Sequence, residues 1–139
     1  MGFLIYGIGH DVLEIQRIKN IASRGAGSKF ISRILTEQEL VLAEQRGGNS
    51  AEFIAGRFSA KEAVVKAFGC GIGAEVGFLD IEILPDAHGK PVAALSEQAW
   101  HRLHLAEREY TIHLTITHSR DLASAFAVVE QINRRQGEE

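Results

Sequence analysis

FIAGRFSAKEAVVKAFG, residues 53–69, is the stretch that decides the fold. At about 100° of turn per residue, Phe53, Gly56, Ala60, Ala63, Val64 and Ala67 fall on one stripe of apolar and small residues, and no proline interrupts it. Arg57 and Lys61 edge that stripe on one side and Glu62 and Lys66 on the other, with Phe58 and Val65 between the two pairs. A helix apolar around more than half its girth predicts cover on several sides, by sheet, by a neighbouring helix or by another subunit. Its charges then need partners, because burying even a neutral polar group without one costs roughly 2–7 kcal/mol. A polyanionic ligand and a cation would supply them. The same pattern is also met by a solvated edge at Arg57 and Lys61 with an i,i+4 pair between Glu62 and Lys66, worth roughly 0.2–0.5 kcal/mol.

Upstream of this helix, Gly47-Gly48-Asn49-Ser50 reads as a loop and a start signal. Thr36 followed three places later by Glu39 has the form of a capping box, opening a helix through Leu40, Leu42 and Ala43. At the N-terminus, FLIYGI (residues 3–8) reads as a strand that ends on Gly9, His10 and Asp11. The spacing of Val12, Ile15, Ile18 and Ile21 then predicts a short helix closing near Gly25 and Gly27. Downstream, Gly69, Gly71, Gly73 and Gly77 predict a flexible loop; it lacks the Lys and Ser/Thr of a phosphate-binding P-loop. FLDIEILP (residues 78–85) alternates Leu79, Ile81 and Ile83 against Asp80 and Glu82, and residues 86–91 form a turn into a hairpin strand, Val92 to Leu95. A polar helix is expected from Ser96 to about Glu109, then strands Tyr110–Thr117 and Leu122–Ile132 joined by the turn His118-Ser119-Arg120-Asp121. Helices first and strands later predict an α+β fold with an antiparallel sheet.

With 139 residues, 45% of them hydrophobic, the chain can bury one proper core. The expectation is one domain over residues 1–132 and a polar tail, 133–139. A net charge of -3 excludes a global field toward nucleic acid or an anionic membrane, so any basic site must be local. No apolar run approaches the roughly 20 residues of a membrane span. The apolar N-terminal run has no basic leader, which argues for a strand and against a signal peptide. The single cysteine, Cys70, cannot form an internal disulfide, which predicts a reducing cytoplasm.

Several side chains could carry chemistry. Asp11 follows two glycines at the expected strand end, where backbone can approach a ligand and a carboxylate can face a cation; alone, it reads equally as a turn or cap residue. Paired with Glu62 it would give a hard, oxygen-only site of the kind Mg²⁺ favours. His118, next to Ser119 at a strand end, occupies a position where binding groups are common, although a free-standing histidine is usually structural. His101 and His104 lack a third ligand nearby, and a solvated face explains them better than a metal. Arg17, Lys19, Arg24 and Lys29 form a local basic patch on an acidic chain.

Taken together, Gly7-Ile8-Gly9-His10-Asp11, the run from Phe53 through Arg57-Phe58-Ser59-Ala60-Lys61-Glu62-Ala63 to Lys66-Ala67, the turn Gly89-Lys90-Pro91 and Thr117-His118-Ser119 resemble the holo-acyl-carrier-protein synthases, the small bacterial 4'-phosphopantetheinyl transferases. The first two motifs are specific in this order and length, and the likeness spans essentially the whole chain. Ser59 stands where the family often has Ala.

The resemblance implies transfer of 4'-phosphopantetheine from coenzyme A to a serine of apo acyl carrier protein, with release of adenosine 3',5'-bisphosphate, in fatty acid biosynthesis. It implies Mg²⁺ held by Asp11 and Glu62. It also implies Lys61 and Lys66 near the phosphates, Lys61 offsetting charge on the leaving group. Arg57, Gly89, Lys90, Pro91, His118 and Ser119 would hold the nucleotide. The proton of the acceptor serine would pass to a metal-held water polarised by Glu62 or, failing that, to His118. Arg17, Arg24 and Lys29 match a docking surface for acidic carrier proteins on the first helix. A homotrimer with active sites between subunits is implied too, consistent with the over-apolar central helix. Two rivals stand beside this reading: a non-catalytic oligomeric module that binds coenzyme A or a nucleotide, and a metal-dependent phosphohydrolase. The second would want a denser set of His and Asp ligands.

Overall fold

A computed structural model describes residues 2–48 and 50–133. Strand β1 (Gly2–Glu14) is followed by four helices: α1 (Ile15–Ala22), α2 (Gly27–Ile34), α3 (Glu37–Gln45) and α4 (Ala51–Ala67). Then come the hairpin β2 (Ile81–Pro85) and β3 (Pro91–Leu95), helix α5 (Glu97–Leu103), and strands β4 (Tyr110–His118) and β5 (Leu122–Asn133). The fold is α+β, with β1-β5-β4 forming one antiparallel sheet and β2-β3 a separate two-stranded one. Met1, Asn49 and most of the expected tail, residues 134–139, lie outside the described residues.

The expected central helix is α4, capped by the Ser50 hydroxyl, which accepts from the backbone N–H of Phe53 at 3.1 Å. It lies on the inner face of the three-stranded sheet. That face is built from small residues: Gly7, Gly9, Asp11 and Leu13 of β1 pair with Val129, Ala127, Ala125 and Ala123 of β5. A Cβ at Gly9 would stand 1.9 Å from the carbonyl oxygen of Ala63, and one at Gly7 1.9 Å from that of Ala67. The two glycines therefore serve the close approach of the helix. They do not open the backbone to a ligand, as their position in the sequence suggested.

Nor does the strand end there. β1 continues to Glu14, because β5 goes on pairing with it as far as Leu122, so Asp11 is a mid-strand residue. The ladder supplies backbone partners that the local glycine signal could not foresee. Helix α1 accordingly starts at Ile15, later than the spacing from Val12 suggested.

Two apolar clusters flank α4. Val64 and Val65 join Ile81, Ile83, Leu95, Trp100 and Val129 on one side, and Ile54 joins Ile15, Ile18, Ile34 and Leu35 on the other. Thr36 and Glu39 form the expected capping box. Two segments depart from expectation for local reasons. Phe78–Asp80 is a single 3-10 turn instead of the start of a strand, since the Asp80 carboxylate accepts from Gly77 N–H (2.8 Å), the Ser96 hydroxyl (2.7 Å) and Arg102 (2.7 Å). Helix α5 stops at Leu103, where His104 takes a left-handed conformation with φ 57°.

Candidate functional site

Two groups of functional side chains emerge, on different sides of α4. The first is a groove at the helix's N-terminal end. Arg57 is nearly buried (7% exposed); its Nε donates to the carbonyl of Ile83 at 3.2 Å and its guanidinium lies 4.6 Å from the centre of the Phe53 ring. Arg46, at the end of α3, has its guanidinium 5.8 Å from the same ring. Arg46, Phe53, Gly56, Arg57, Ile116 and His118, together with Ser50 and Glu52 at the start of α4, line a cleft of about 230 Å³. It continues into one of about 190 Å³ that shares Arg46, Arg57 and Ile116 and adds Pro85, Gly89 and Pro91. Burial lowers the pKa of Arg57, Glu39 raises it and Arg46 lowers it again. An arginine so perturbed keeps its charge. Among the described residues neither arginine forms an ion pair. Two arginines against the single carboxylate of Glu52, with neither arginine ion-paired, leave a half-closed groove with a positive surplus that suits an anion. A larger cleft of about 410 Å³ lies where β1 runs into α1, but it mixes Glu14 and Asp121 with Lys19 and Arg120 and has no such surplus.

Of the expected nucleotide-binding residues, the groove thus gathers Arg57, Gly89, Pro91 and His118. Gly89 sits at φ 83°, which its turn requires, with Asp86 Oδ1 accepting from the backbone N–H groups of His88 and Lys90. Lys90 is exposed on this turn but does not line the groove. Ser119 is not in the lining either: its hydroxyl accepts from Leu122 N–H at 3.2 Å and its own N–H donates to the Leu122 carbonyl, closing the β4–β5 turn. Sequence reasoning missed Arg46, Phe53 and Ile116 as site residues. The only signal for Arg46 was a basic residue directly before Gly47-Gly48, a pair that read simply as loop.

The second group is acidic. Asp11 faces α4 from β1, and Lys66 donates both to Asp11 Oδ1 (3.2 Å) and to the His10 carbonyl (2.9 Å). Lys66 therefore has its ion pair with Asp11, whereas the sequence suggested Glu62. Burial, and then the charge of Asp11, raise the pKa of Glu62, and Lys66 draws it partway back. The charge of Asp11 therefore reaches Glu62, so the two carboxylates lie on the same side of α4. The Asp11 carbonyl is held by the hydroxyls of Ser59 and Ser124, each at 3.1 Å. Among the described residues no three His, Cys, Asp or Glu side chains cluster. A carboxylate pair without nitrogen or sulfur suits Mg²⁺, whose remaining positions would go to water and phosphate oxygens.

Lys61 requires a correction. It belongs to neither group: it is fully buried, and its ammonium donates to the Ile34 carbonyl (2.6 Å), Glu39 Oε1 (2.6 Å) and the Phe78 carbonyl (3.1 Å). All three of its donors are used inside the protein, so it is withdrawn from the phosphate-binding and catalytic residues. The docking residues also need restating. Arg17, Arg24 and Lys29 are exposed, but they are spread over α1, the following turn and α2, and do not share one helix.

On α4, Arg57 and Glu62 point about 140° apart, so one chain does not turn its groove and its carboxylate pair toward the same space.

The family model of the 4'-phosphopantetheinyl transferase superfamily matches residues 7–127. The holo-[acyl-carrier-protein] synthase of Bacillus cereus is 45% identical over 132 residues, covering 94% of this chain and 100% of that protein. The Bacillus cytotoxicus synthase is 47% identical over 128 residues, covering 91% and 97%. Among solved structures, the Bacillus anthracis holo-(acyl-carrier-protein) synthase in complex with CoA (3',5'-ADP) superposes with a TM-score of 0.76 at 43% identity, over 92% of this chain and 98% of that one. The Neisseria meningitidis holo-[acyl-carrier-protein] synthase reaches 0.80 at 36% identity, over 91% and 98%.

Proposed function

The chain belongs to the 4'-phosphopantetheinyl transferase superfamily, and from that premise we infer that it works as a holo-[acyl-carrier-protein] synthase. It transfers 4'-phosphopantetheine from coenzyme A to a serine of apo acyl carrier protein and releases adenosine 3',5'-bisphosphate. The observation that carries this reading over a generic fold match is the groove in which Arg46 and Arg57 share the Phe53 ring beside His118. Such a surplus of positive charge next to an aromatic face suits a phosphorylated nucleoside.

In the reaction the serine oxygen bonds to the phosphorus that carries pantetheine, and the pyrophosphate P–O bond breaks toward the adenosine bisphosphate, which keeps the electron pair. Catalysis of such a step rests on placing the reactants in line and neutralising charge. Arg46 and Arg57 hold the nucleotide's phosphates, and His118 closes the groove from the end of β4. Lys66, about half exposed on Asp11, is free to turn its ammonium to the pyrophosphate. Asp11 and Glu62 would hold Mg²⁺, which when bound neutralises charge on the pyrophosphate. The serine proton would pass to a water polarised by Glu62, with His118 at the groove as the second candidate.

A homotrimer would bring the groove of one subunit beside the carboxylate pair of the next. Support comes from the outer face of the three-stranded sheet, where Phe3, Ile5, Ile8, Val12 and Phe126 are between 40% and 65% exposed. An apolar patch of that kind marks an interface. The exposed basic residues Arg17, Arg24 and Lys29 would steer the acidic carrier protein. We place the enzyme in the cytoplasm: its one cysteine can form no internal disulfide, and no helix among the described residues is long and apolar enough to cross a membrane.

The test is incubation with coenzyme A, Mg²⁺ and apo acyl carrier protein, followed by mass spectrometry of the carrier. The phosphopantetheine mass increment is expected with the wild-type protein. Asp11→Ala and Glu62→Ala should each slow its appearance by about 100-fold or more without changing the circular dichroism spectrum. Retention of rate by either variant would remove the carboxylate pair from the mechanism.

A further inference from the structure

The pair Glu39–Lys61 is buried in the interior, and neither the groove nor the carboxylate pair uses it. Both side chains are fully inaccessible to solvent. Burying an ion pair rarely adds stability over apolar residues of the same size, so its presence asks for another explanation. Its wiring offers one. Glu39 Oε1 accepts from Thr36 N–H (2.8 Å) and from the Lys61 ammonium (2.6 Å), while Oε2 accepts from the backbone N–H of Ile83 (2.8 Å). The carbonyl of that same Ile83 accepts Arg57 Nε (3.2 Å). Both backbone polar groups of Ile83 are thus taken by side chains, one from the buried pair and one from the groove.

We propose that Glu39, neutralised by Lys61, is a positioning residue for nucleotide binding: it pins the backbone of β2 at Ile83 and thereby aims Arg57 into the groove. The proposal rests on the reading of that groove as the nucleotide site. Lys61 makes it workable, because a lone buried carboxylate would take up a proton and lose half its accepting capacity. The chain Lys61–Glu39–Ile83–Arg57 also ties three elements together, running from α4 through α3 and β2 back to α4, so it holds the cleft's walls in one register. It holds Arg57 in place against the charge of Arg46 before the ligand arrives. Preorganisation of this kind lowers the cost of binding without adding a contact.

A double-mutant cycle tests it, with the affinity for coenzyme A measured by titration calorimetry and the fold followed by thermal melting. Glu39→Leu with Lys61→Met replaces the pair by apolar residues of similar size. It is expected to melt in one cooperative transition, to weaken coenzyme A binding about tenfold, and to raise KM for coenzyme A more than it lowers kcat. In an Arg57→Ala background the same double substitution should weaken binding by less than about twofold, because the residue it acts through has gone. A general loosening of the fold would instead weaken binding by the same factor in both backgrounds, and that result overturns the proposal, as does unchanged affinity in the wild-type background. Should the apolar pair fail to fold, Glu39→Gln runs the same cycle with the same expectations, since its amide oxygen can keep only part of the wiring. If Arg57→Ala alone leaves coenzyme A affinity unchanged, the groove reading itself fails, which is a distinct outcome from additivity.

Discussion

At the scale of single residues, Glu62 carries a measurable signature of its role. Its carboxyl is pushed up by burial first and by Asp11 second. The folded protein therefore holds that proton more tightly than the unfolded chain does, and the ionised form works against folding once the pH exceeds the folded-state pKa. Below the unfolded value that penalty is absent. In the metal-free protein Glu62→Gln should raise the melting temperature by about 2 °C at pH 8 and leave it unchanged at pH 4. Added Mg²⁺ should raise the wild-type midpoint at pH 8 and have little effect on the variant. A lower midpoint for Glu62→Gln at pH 8 would show that Lys66 already compensates the carboxylate pair. Asp11, Glu62, Arg57 and His118 could be picked out from residue type and motif. The fate of Lys61 could not, because it sits beside Glu62 in the motif, and one position along a helix turns a side chain by about 100°, enough to separate interior from exterior. Glu39 shows the same limit: its capping role follows from local spacing, whereas its contacts with Ile83 and Lys61 join residues 44 and 22 positions away.

At the scale of elements, the union of β1 with α4 is the joint that sets Asp11 against Lys66 and brings its charge to bear on Glu62. It depends on two residues lacking a side chain. Gly9→Ala would drive a methyl group to 1.9 Å from the Ala63 carbonyl oxygen, where only backbone can yield. The expected cost is about 3 kcal/mol, seen as a drop of about 10 °C in melting temperature, with turnover falling further as Asp11 moves off Glu62. Gly71→Ala is the control: nothing lies within 4 Å of the added carbon, so its midpoint should stay within about 1 °C. If Gly9→Ala melts like Gly71→Ala, the close helix–strand approach is not what these glycines are for. Helix α4, its Ser50 cap and the Thr36–Glu39 box were readable beforehand because their signals are local. The length of β1 was not, since a strand persists for as long as its partner supplies hydrogen bonds, and β5 lies more than a hundred residues downstream.

At the scale of the whole molecule, the proposed trimer rests on the apolar outer sheet face and on the divergence of Arg57 from Glu62. Ile8 stands on that face, 61% exposed, on the strand that pairs with β5. Sedimentation equilibrium should find the proposed trimer for the wild-type protein and a monomer for Ile8→Arg, and turnover should be lost with the assembly. Full turnover by a monomer would end the interfacial account of the site. The sequence by itself determined the α+β class, the central helix with its caps, the antiparallel strands and the residues that match the transferase motifs, because periodicity, capping and turn chemistry act between near neighbours. Tertiary structure alone decided that Gly7 and Gly9 admit a helix, that Lys61 is consumed in the interior, that Arg46 joins Arg57 over Phe53, and that groove and carboxylates face apart. Each of these depends on which distant backbone arrives within about 3 Å of a given side chain, and that is set by packing across the whole chain and not by any one segment of it.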